Sequence, residues 1–433
     1  MRSTPWFAPP RLSRMSDPAS EQTSTRRDVG IWGAAFLALN GMIGAAIFGL
    51  PGKLDAAVGS FAPWLLLIGG LGVMLIALCY ADLAARFDSS GGPQLYASAA
   101  FGPFIGFQAG WMLYAARAAA LAANAHVLSA YAGALWPPLN GPVTIIVTIT
   151  AITLINVVGI RRAVDTLGAM TMIKVAPLVL IGALGLVLAP IPAPVLPEFS
   201  AVESVSLVAL YAFVGFEAAT IPAGETRDPK KAIPRALLLT VAGVTLLYVV
   251  VQLAYSASGI GESDAPLADL AAQSLGPAGA LLLGVTAITS VLANQLSAVT
   301  SVSRITSSLA DQHLLPGWFG RISPRFATPA NSILAVGGIG IALALSGTFV
   351  SLAVISTVSR LFAYLACIAA IPRLDARDRN LRLVHSILLP LAAAALCLWA
   401  ASQSRADEWR AFVAFLLAGS LLYLMARLGR RSE

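Results

Sequence analysis

The sequence predicts an all-α integral membrane protein of about twelve helices. Three observations carry that expectation. Apolar types make up 58% of the 433 residues, charged types only 11%, and the mean hydropathy is +0.79. A soluble domain carries about 25% charged residues, and a chain this poor in charge could not cover its own surface with them. The apolar residues fall in long blocks, and a helix crossing a bilayer needs ~20 of them in succession. The basic residues lie between the blocks, clustered in every second interval.

Taken in order, the blocks place helices at roughly 29–56, 61–86, 99–133, 142–160, 164–189, 203–222, 236–258, 279–309, 330–348, 349–372, 384–403 and 408–428. The ninth and tenth are separated only at Ser346–Gly347–Thr348. The intervals after even-numbered helices hold Arg86, then Arg161 and Arg162, then Arg227, Lys230, Lys231 and Arg235. Later ones hold Arg321 and Arg325, then Arg373, Arg377, Arg379 and Arg382, with Arg427, Arg430 and Arg431 at the C-terminus. The intervals after odd-numbered helices hold Lys53 with Asp55, Glu198, and Glu262, Asp264 and Asp269, and the last mixes Arg405 and Arg410 with Asp407 and Glu408, so the alternation holds across nearly the whole chain. Basic residues favour the cytoplasmic side of short loops, so both termini are expected inside, in a bacterial-type plasma (inner) membrane. The net charge of +7 thus reads as topology, and no nucleic-acid partner is expected. Residues 1–28 are polar, carry no signal-peptide pattern, and read as a disordered cytoplasmic tail.

Two of the blocks are interrupted. The first contains Asn40-Gly41-Met42-Ile43-Gly44-Ala45-Ala46, and the sixth contains Phe213-Val214-Gly215-Phe216-Glu217, with Pro222 and Gly224 following. Each interruption falls about twelve residues into its helix, and the sixth helix opens a second block of five as the first opens the first block. Paired, Gly-interrupted segments at matching positions of two halves point to a transporter binding site, in preference to the alternative that the glycines serve only close helix contacts. A broken helix frees backbone groups at membrane depth, which is tolerated only against a cavity or buried in protein. Freed amides favour an anion and freed carbonyls a cation. Two crossed breaks therefore suit a zwitterion such as an α-amino acid.

The same segments resemble a known family. Asn40–Gly52 reads NGMIGAAIFGLPG, similar to the G-x-x-I-G-x-G-I-F-x-x-P of APC (amino acid–polyamine–organocation) permeases. Tyr80–Trp111 carries a double glycine and an FGP before the third helix. Tyr211–Leu237, YAFVGFEAATIPAGETRDPKKAIPRAL, is similar to F-x-G-F-E … E-x-x-N-P-x-x-x-I-P-R-A, and Leu309–Pro329 to A-x-D-G-x-L-P … T-P. The resemblance implies a LeuT-like fold: an inverted repeat over 29–189, its partner over 203–372, and two extra helices over 384–428. It implies a substrate site at Met42, Ile43, Gly44, Ala45, Ala46 and Ile47 on the first helix and Tyr211, Phe213, Val214, Gly215 and Phe216 on the sixth. A carboxylate would meet amides near Ala45 and Ala46, an ammonium would meet carbonyls near Met42, Tyr211 and Val214, and Phe48 would pack nearby. Ala46 replaces a family glycine, and its Cβ is expected to disfavour a positive-φ turn there. Asp82 stands where the pattern has Glu, Asp228 where it has Asn, and His313 near a Gly.

Charge inside a span is costly, so each case is a functional candidate. Lys174, about ten residues into the fifth helix, resembles the lysine that takes the place of sodium in sodium-independent APC members. Glu217 matches an acid tied to proton sensing in similar permeases; it serves coupling or bonds the freed backbone. Arg117 and Arg360, both in mid-helix, recognise an anionic substrate group or pair structurally. Arg304 is expected to face the cytoplasm, and His126 to be a satisfied buried histidine. Cys79, Cys367 and Cys397 show neither disulfide nor metal spacing. No Walker A loop, H-E-x-x-H, CxxC or nucleophile elbow occurs, so no cofactor and no enzymatic activity is expected. The expected function is secondary transport of an amino acid, neutral by first preference, by alternating access coupled to protons or a counter-substrate. A polyamine or amine transporter and a non-transporting sensor are the alternatives.

Overall fold

The computed structural model describes residues 30–159, 167–188, 190–221, 223–379 and 381–429. The expected tail over 1–28, and Arg161, Arg162, Pro222, Arg430 and Arg431, lie outside the described residues. The described residues form helices joined by turns and short extended stretches, with no strand among them. It runs α1 (Ile31–Met42), α2 (Ala46–Gly49), α3 (Pro51–Val58), α4 (Ala62–Arg86), α5 (Pro93–Phe101), α6 (Pro103–Leu135), α7 (Pro142–Val158) and α8 (Leu167–Leu188). It continues with α9 (Phe199–Tyr211), α10 (Pro229–Ser258), α11 (Pro266–Asp311), α12 (Gly317–Gly320), α13 (Ala330–Ser346), α14 (Phe349–Arg377), α15 (Leu389–Ser402) and α16 (Ala406–Gly429). Among the described residues ten helices are long and apolar enough to cross a membrane, and α7 and α13 are shorter apolar helices of 17 residues. At 1.5 Å per residue each of those two covers about 25 Å, a little short of the ~30 Å hydrocarbon core.

Proline in the first turn opens many of these helices, where its missing N–H is no loss and its φ is already helical. That rule moves several boundaries from where hydropathy puts them. The third long helix starts at Pro103 rather than 99, because Gly102 at φ +86 separates it from α5. The seventh starts at Pro229 rather than 236, taking the charged turn Lys230–Arg235 into the helix. The eighth starts at Pro266 rather than 279, with a non-helical residue at Gly276 before Pro277. Between α13 and α14 the expected break is present and capped: the Thr348 side chain accepts from Ser351 N, and Ser351 Oγ accepts from Thr348 N at 2.9 Å. Two departures from the family pattern, Asp228 (φ +46) and His313 (φ +56), occupy left-handed backbone, the conformation that Asn and Gly tolerate best.

α4 packs along α10, and α1 against α10; α6 is enclosed by α11, α13 and α14. The outer faces carry Val143, Val187, Leu391 and Leu417, all more than half exposed. Such a surface fits lipid rather than water. Polar contacts sort the loops into two ends. Arg86–Asp375 at 2.7 Å, Lys230–Asp88 at 3.9 Å and Arg304–Glu225 at 3.6 Å join chain that follows even-numbered helices. Lys53–Glu262 at 2.9 Å and Val195 N–Ser60 Oγ at 3.1 Å join chain that follows odd-numbered ones. The Lys53 ammonium holds the Glu262 carboxyl below the usual carboxylate range. Cys79, Cys367 and Cys397 are buried free thiols.

Candidate functional site

Both expected interruptions are real breaks. α1 stops at Met42, and Gly44 N donates to Met42 O at 2.9 Å across Ile43 (φ −78, ψ 81), an inverse γ-turn. Helix resumes at Ala46 and runs through helical Leu50 into α3. α9 stops at Tyr211; turns follow, and a 3-10 helix spans Phe216–Thr220. The two breaks touch through backbone. A Cβ on Gly41 would lie 2.4 Å from Gly215 O, and one on Gly215 (φ +110) would lie 2.2 Å from Gly41 O. Only glycine at both positions permits that approach.

Breaking a helix at this depth leaves carbonyls that must find donors. Side chains from other helices supply them. Asn294 Nδ2 donates to Asn40 O and, at 3.2 Å, to Gly41 O. Tyr248 Oη donates to Met42 O at 3.2 Å, and Lys174 Nζ donates to Ile43 O at 3.1 Å and to Asn40 Oδ1. The amides of Ala45, Ala46 and Ile47 find no backbone acceptor. Ala45 is right-handed (φ −75) and Ala46 is not among the positive-φ residues, so the expected strain of a Cβ at Ala46 does not arise. Replacing Asn294 by alanine strands two of these buried carbonyls and is expected to cost about 1–3 kcal/mol, read as a lower unfolding midpoint in detergent.

A small cavity of about 20 Å³ lies at the crossing, lined by Gly41, Met42, Gly44, Ala45, Ala46, Arg117, Ala120, Asn124, Tyr211, Val214, Asn294 and Arg360. That is room for roughly one water, so an amino acid enters only if the walls move apart. Of the residues anticipated from sequence, Met42, Gly44, Ala45, Ala46, Tyr211 and Val214 line it together with both arginines. The others do not. Ile43 and Ile47 are buried in the core, and Phe213 packs on Tyr248 with ring centroids 5.5 Å apart. Phe216 packs between Tyr80 (5.4 Å) and Tyr364 (5.4 Å), and Phe48 against Tyr131 (5.8 Å). Gly215 forms the backbone contact, and Lys174 sits behind the α1 break, 1% exposed.

Glu217 lies beside the cavity, buried, with both oxygens engaged. Oε1 accepts from Arg117 Nη2 at 3.4 Å and Arg360 Nε at 3.3 Å. Oε2 accepts from Gly215 N and Tyr364 Oη, each at 2.9 Å. It thus serves the freed backbone and the arginines together. His126 Nε2 is bonded to Ala344 O at 3.0 Å, and Arg304 reaches Glu225. Sequence reasoning missed Asn124 and Asn294. Tyr211 Oη donates to Asn124 Oδ1 at 2.9 Å, and Asn124 Nδ2 reaches Asn294 Oδ1 at 3.5 Å, closing one wall. An amide inside an apolar span was the available signal, since polar side chains there pack inward.

Comparison with known proteins agrees with this architecture. The sequence model of a family described as amino acid permease matches residues 29–406. An uncharacterized transporter of Mycobacterium bovis is 30% identical over 351 residues, 77% of each chain, and one of Mycobacterium tuberculosis matches equally. A methylthioribose transporter of Bacillus subtilis is 24% identical over 442 residues, 94% of each chain.

Proposed function

Because the chain belongs to the amino acid permease family, of the APC superfamily, we propose that it is a secondary active transporter that moves an amino acid by alternating access. The observation that carries this reading is the crossing of two broken helices at Gly41 and Gly215, beside a cavity deep in the membrane. Free amides at Ala45 and Ala46 suit a carboxylate. Most freed carbonyls of α1 are already bonded, which leaves Val214 O as the acceptor best placed for an ammonium. The sequence reading put amines second. Two guanidiniums on the cavity wall argue against a polyamine, because like charges at low dielectric repel strongly.

In the proposed arrangement the twelve helical segments form a LeuT-like pair of inverted repeats with two extra helices. α1, α4, α9 and α10 tilt as a bundle about the site, and both termini face the cytoplasm of a bacterial-type inner membrane. Transport is sodium-independent, coupled to protons or a counter-substrate. Lys174 supports this: its ammonium, held by Asn40 Oδ1 and Ile43 O, supplies a positive charge behind the break where a bound cation would otherwise stand.

The test is substrate-dependent flux in proteoliposomes, with and without sodium, a pH gradient and preloaded substrate. Methylthioribose and putrescine are run beside the amino acids. Sodium-independent amino acid flux is expected, falling by about tenfold or more in Lys174→Ala, which strands Asn40 and Ile43. Flux that needs sodium overturns the role of Lys174 and leaves the transporter standing. Binding without flux under every condition replaces the transporter with a sensor.

A further inference from the structure

We propose that the cargo is an amino acid whose side chain carries a second negative charge, and that Arg117 is the group that meets that charge. The inference rests on the amino acid reading above and deepens it. The argument is one of charge. Arginine keeps its proton in proteins. Arg117 is 8% and Arg360 1% exposed; both lie in mid-helix and both line the cavity. Against these two positive charges stands one carboxylate beside the cavity, Glu217, leaving +1 at the cavity wall; Lys174 lies behind the α1 break and does not line it. The other buried acids among the described residues are at helix ends: Asp375 is held by Arg86, and Glu408 bonds Arg405 N.

The pairing is two guanidiniums to one carboxylate. Here both reach the same oxygen, Glu217 Oε1, at 3.3 and 3.4 Å, while Oε2 is taken by Gly215 N and Tyr364 Oη. Neither arginine makes the short bidentate pair that an isolated Arg–carboxylate contact favours. The two are also unequally occupied. Arg360 spends Nε on Glu217 and Nη1 on Ser356, through its carbonyl at 3.4 Å and its hydroxyl. Arg117 spends only Nη2 on Glu217, and its Nε and Nη1 have no partner among the described residues. Arg360 is therefore the partner that holds Glu217 in place. Both guanidiniums line the cavity, and Arg117 has the more donors to spare, two nitrogens against the single Nη2 of Arg360.

The charge balance then orders the candidate cargoes. A zwitterion leaves the +1 untouched, an amine raises it, and an amino acid with an anionic side chain cancels it. Burying an unpaired charge is expensive, and pairing it with substrate recovers that expense on binding. Asn124 and Tyr211, on the same wall, bond each other at 2.9 Å and complete a polar lining without adding charge.

The experiment compares uptake of labelled L-glutamate and L-aspartate with L-glutamine and L-asparagine, in proteoliposomes of the full chain. The amides have nearly the same size and lack the charge. The acids are expected to be preferred by about tenfold or more at low concentration. Arg117→Gln leaves Glu217 with Arg360, one charge against one, and is expected to reduce that preference, read as the ratio of acid to amide uptake, to about twofold or less. Arg117→Lys, which keeps the charge, retains part of it. Equal uptake of acids and amides by the unaltered protein, or equal loss of both in Arg117→Gln and Arg117→Lys, overturns the inference and leaves the amino acid transporter intact. Uptake of methylthioribose or putrescine with no amino acid of either kind overturns the proposed function itself.

Discussion

Glu217→Gln is expected to destabilise the protein by about 3–5 kcal/mol and to abolish flux. Among the described residues the carboxylate is the only buried acid against Arg117 and Arg360, so its neutralisation leaves two guanidiniums facing each other with no anion between them. It also weakens the acceptor that holds Gly215 N, and with it the geometry of the α9 break. The measurement is the unfolding midpoint of the purified protein in detergent, together with flux. A charge argument makes a second demand on the data. In Glu217→Gln with Arg360→Gln, one buried positive charge remains instead of two, so part of the lost stability is expected to return. The coupling expected from the double-mutant cycle is about 0.5–3 kcal/mol. Strict additivity of the two substitutions would show that charge imbalance is not what the single variant suffers from. Glu217→Asp keeps the charge and is expected to cost less than the glutamine.

Gly215→Ala is expected to be the second most damaging change. The residue sits at φ +110, where an L side chain costs about 1–2 kcal/mol. Its new Cβ would also meet Gly41 O at 2.2 Å, a backbone atom with no rotamer to change, and overpacking of that kind costs about 1–3 kcal/mol more. Separating the breaks by even an ångström opens the cavity between Gly41 and Val214. Flux should therefore fall further than stability alone explains. Gly41→Ala, whose Cβ would meet Gly215 O at 2.4 Å, is expected to behave alike. Gly243 provides the control: it lies in α10 with nothing within 4 Å of an added Cβ, and Gly243→Ala should be neutral or stabilising by up to about 1 kcal/mol. If Gly215→Ala folds and transports like Gly243→Ala, the contact between the breaks is not the axis of the site.

Much of the architecture was legible in the chain because a bilayer imposes a coarse rule: long apolar blocks, charges between them. The breaks at Asn40–Ala46 and Phe213–Glu217 were legible for a related reason. Glycines grouped about twelve residues into an apolar block, at matching positions of two halves, mark an interruption, and both breaks fall where the grouping put them. The intramembrane charges Arg117, Lys174, Glu217 and Arg360 were visible simply because charge at that depth is rare. What failed was direction. The resemblance implied Ile43, Ile47, Phe213 and Phe216 as site residues together with their neighbours, yet these four are buried in the core and do not line the cavity. Helical periodicity tells which face a residue occupies only while the helix continues, and at a break it has no phase.

The sequence by itself determined the membrane environment, the helix order, the two broken segments and the residues whose charge needs an explanation. Each of these is local: it depends on hydropathy within one block or on residue type at one position. The tertiary structure alone decided which charges meet. Glu217 is 100 residues from Arg117 and 143 from Arg360, and Asn294 is 254 from the carbonyl of Asn40 that it satisfies. No periodicity within a helix encodes such pairings. They follow from how α6, α11 and α14 pack around the crossing of α1 and α9, and that packing sets two guanidiniums against the one carboxylate of Glu217.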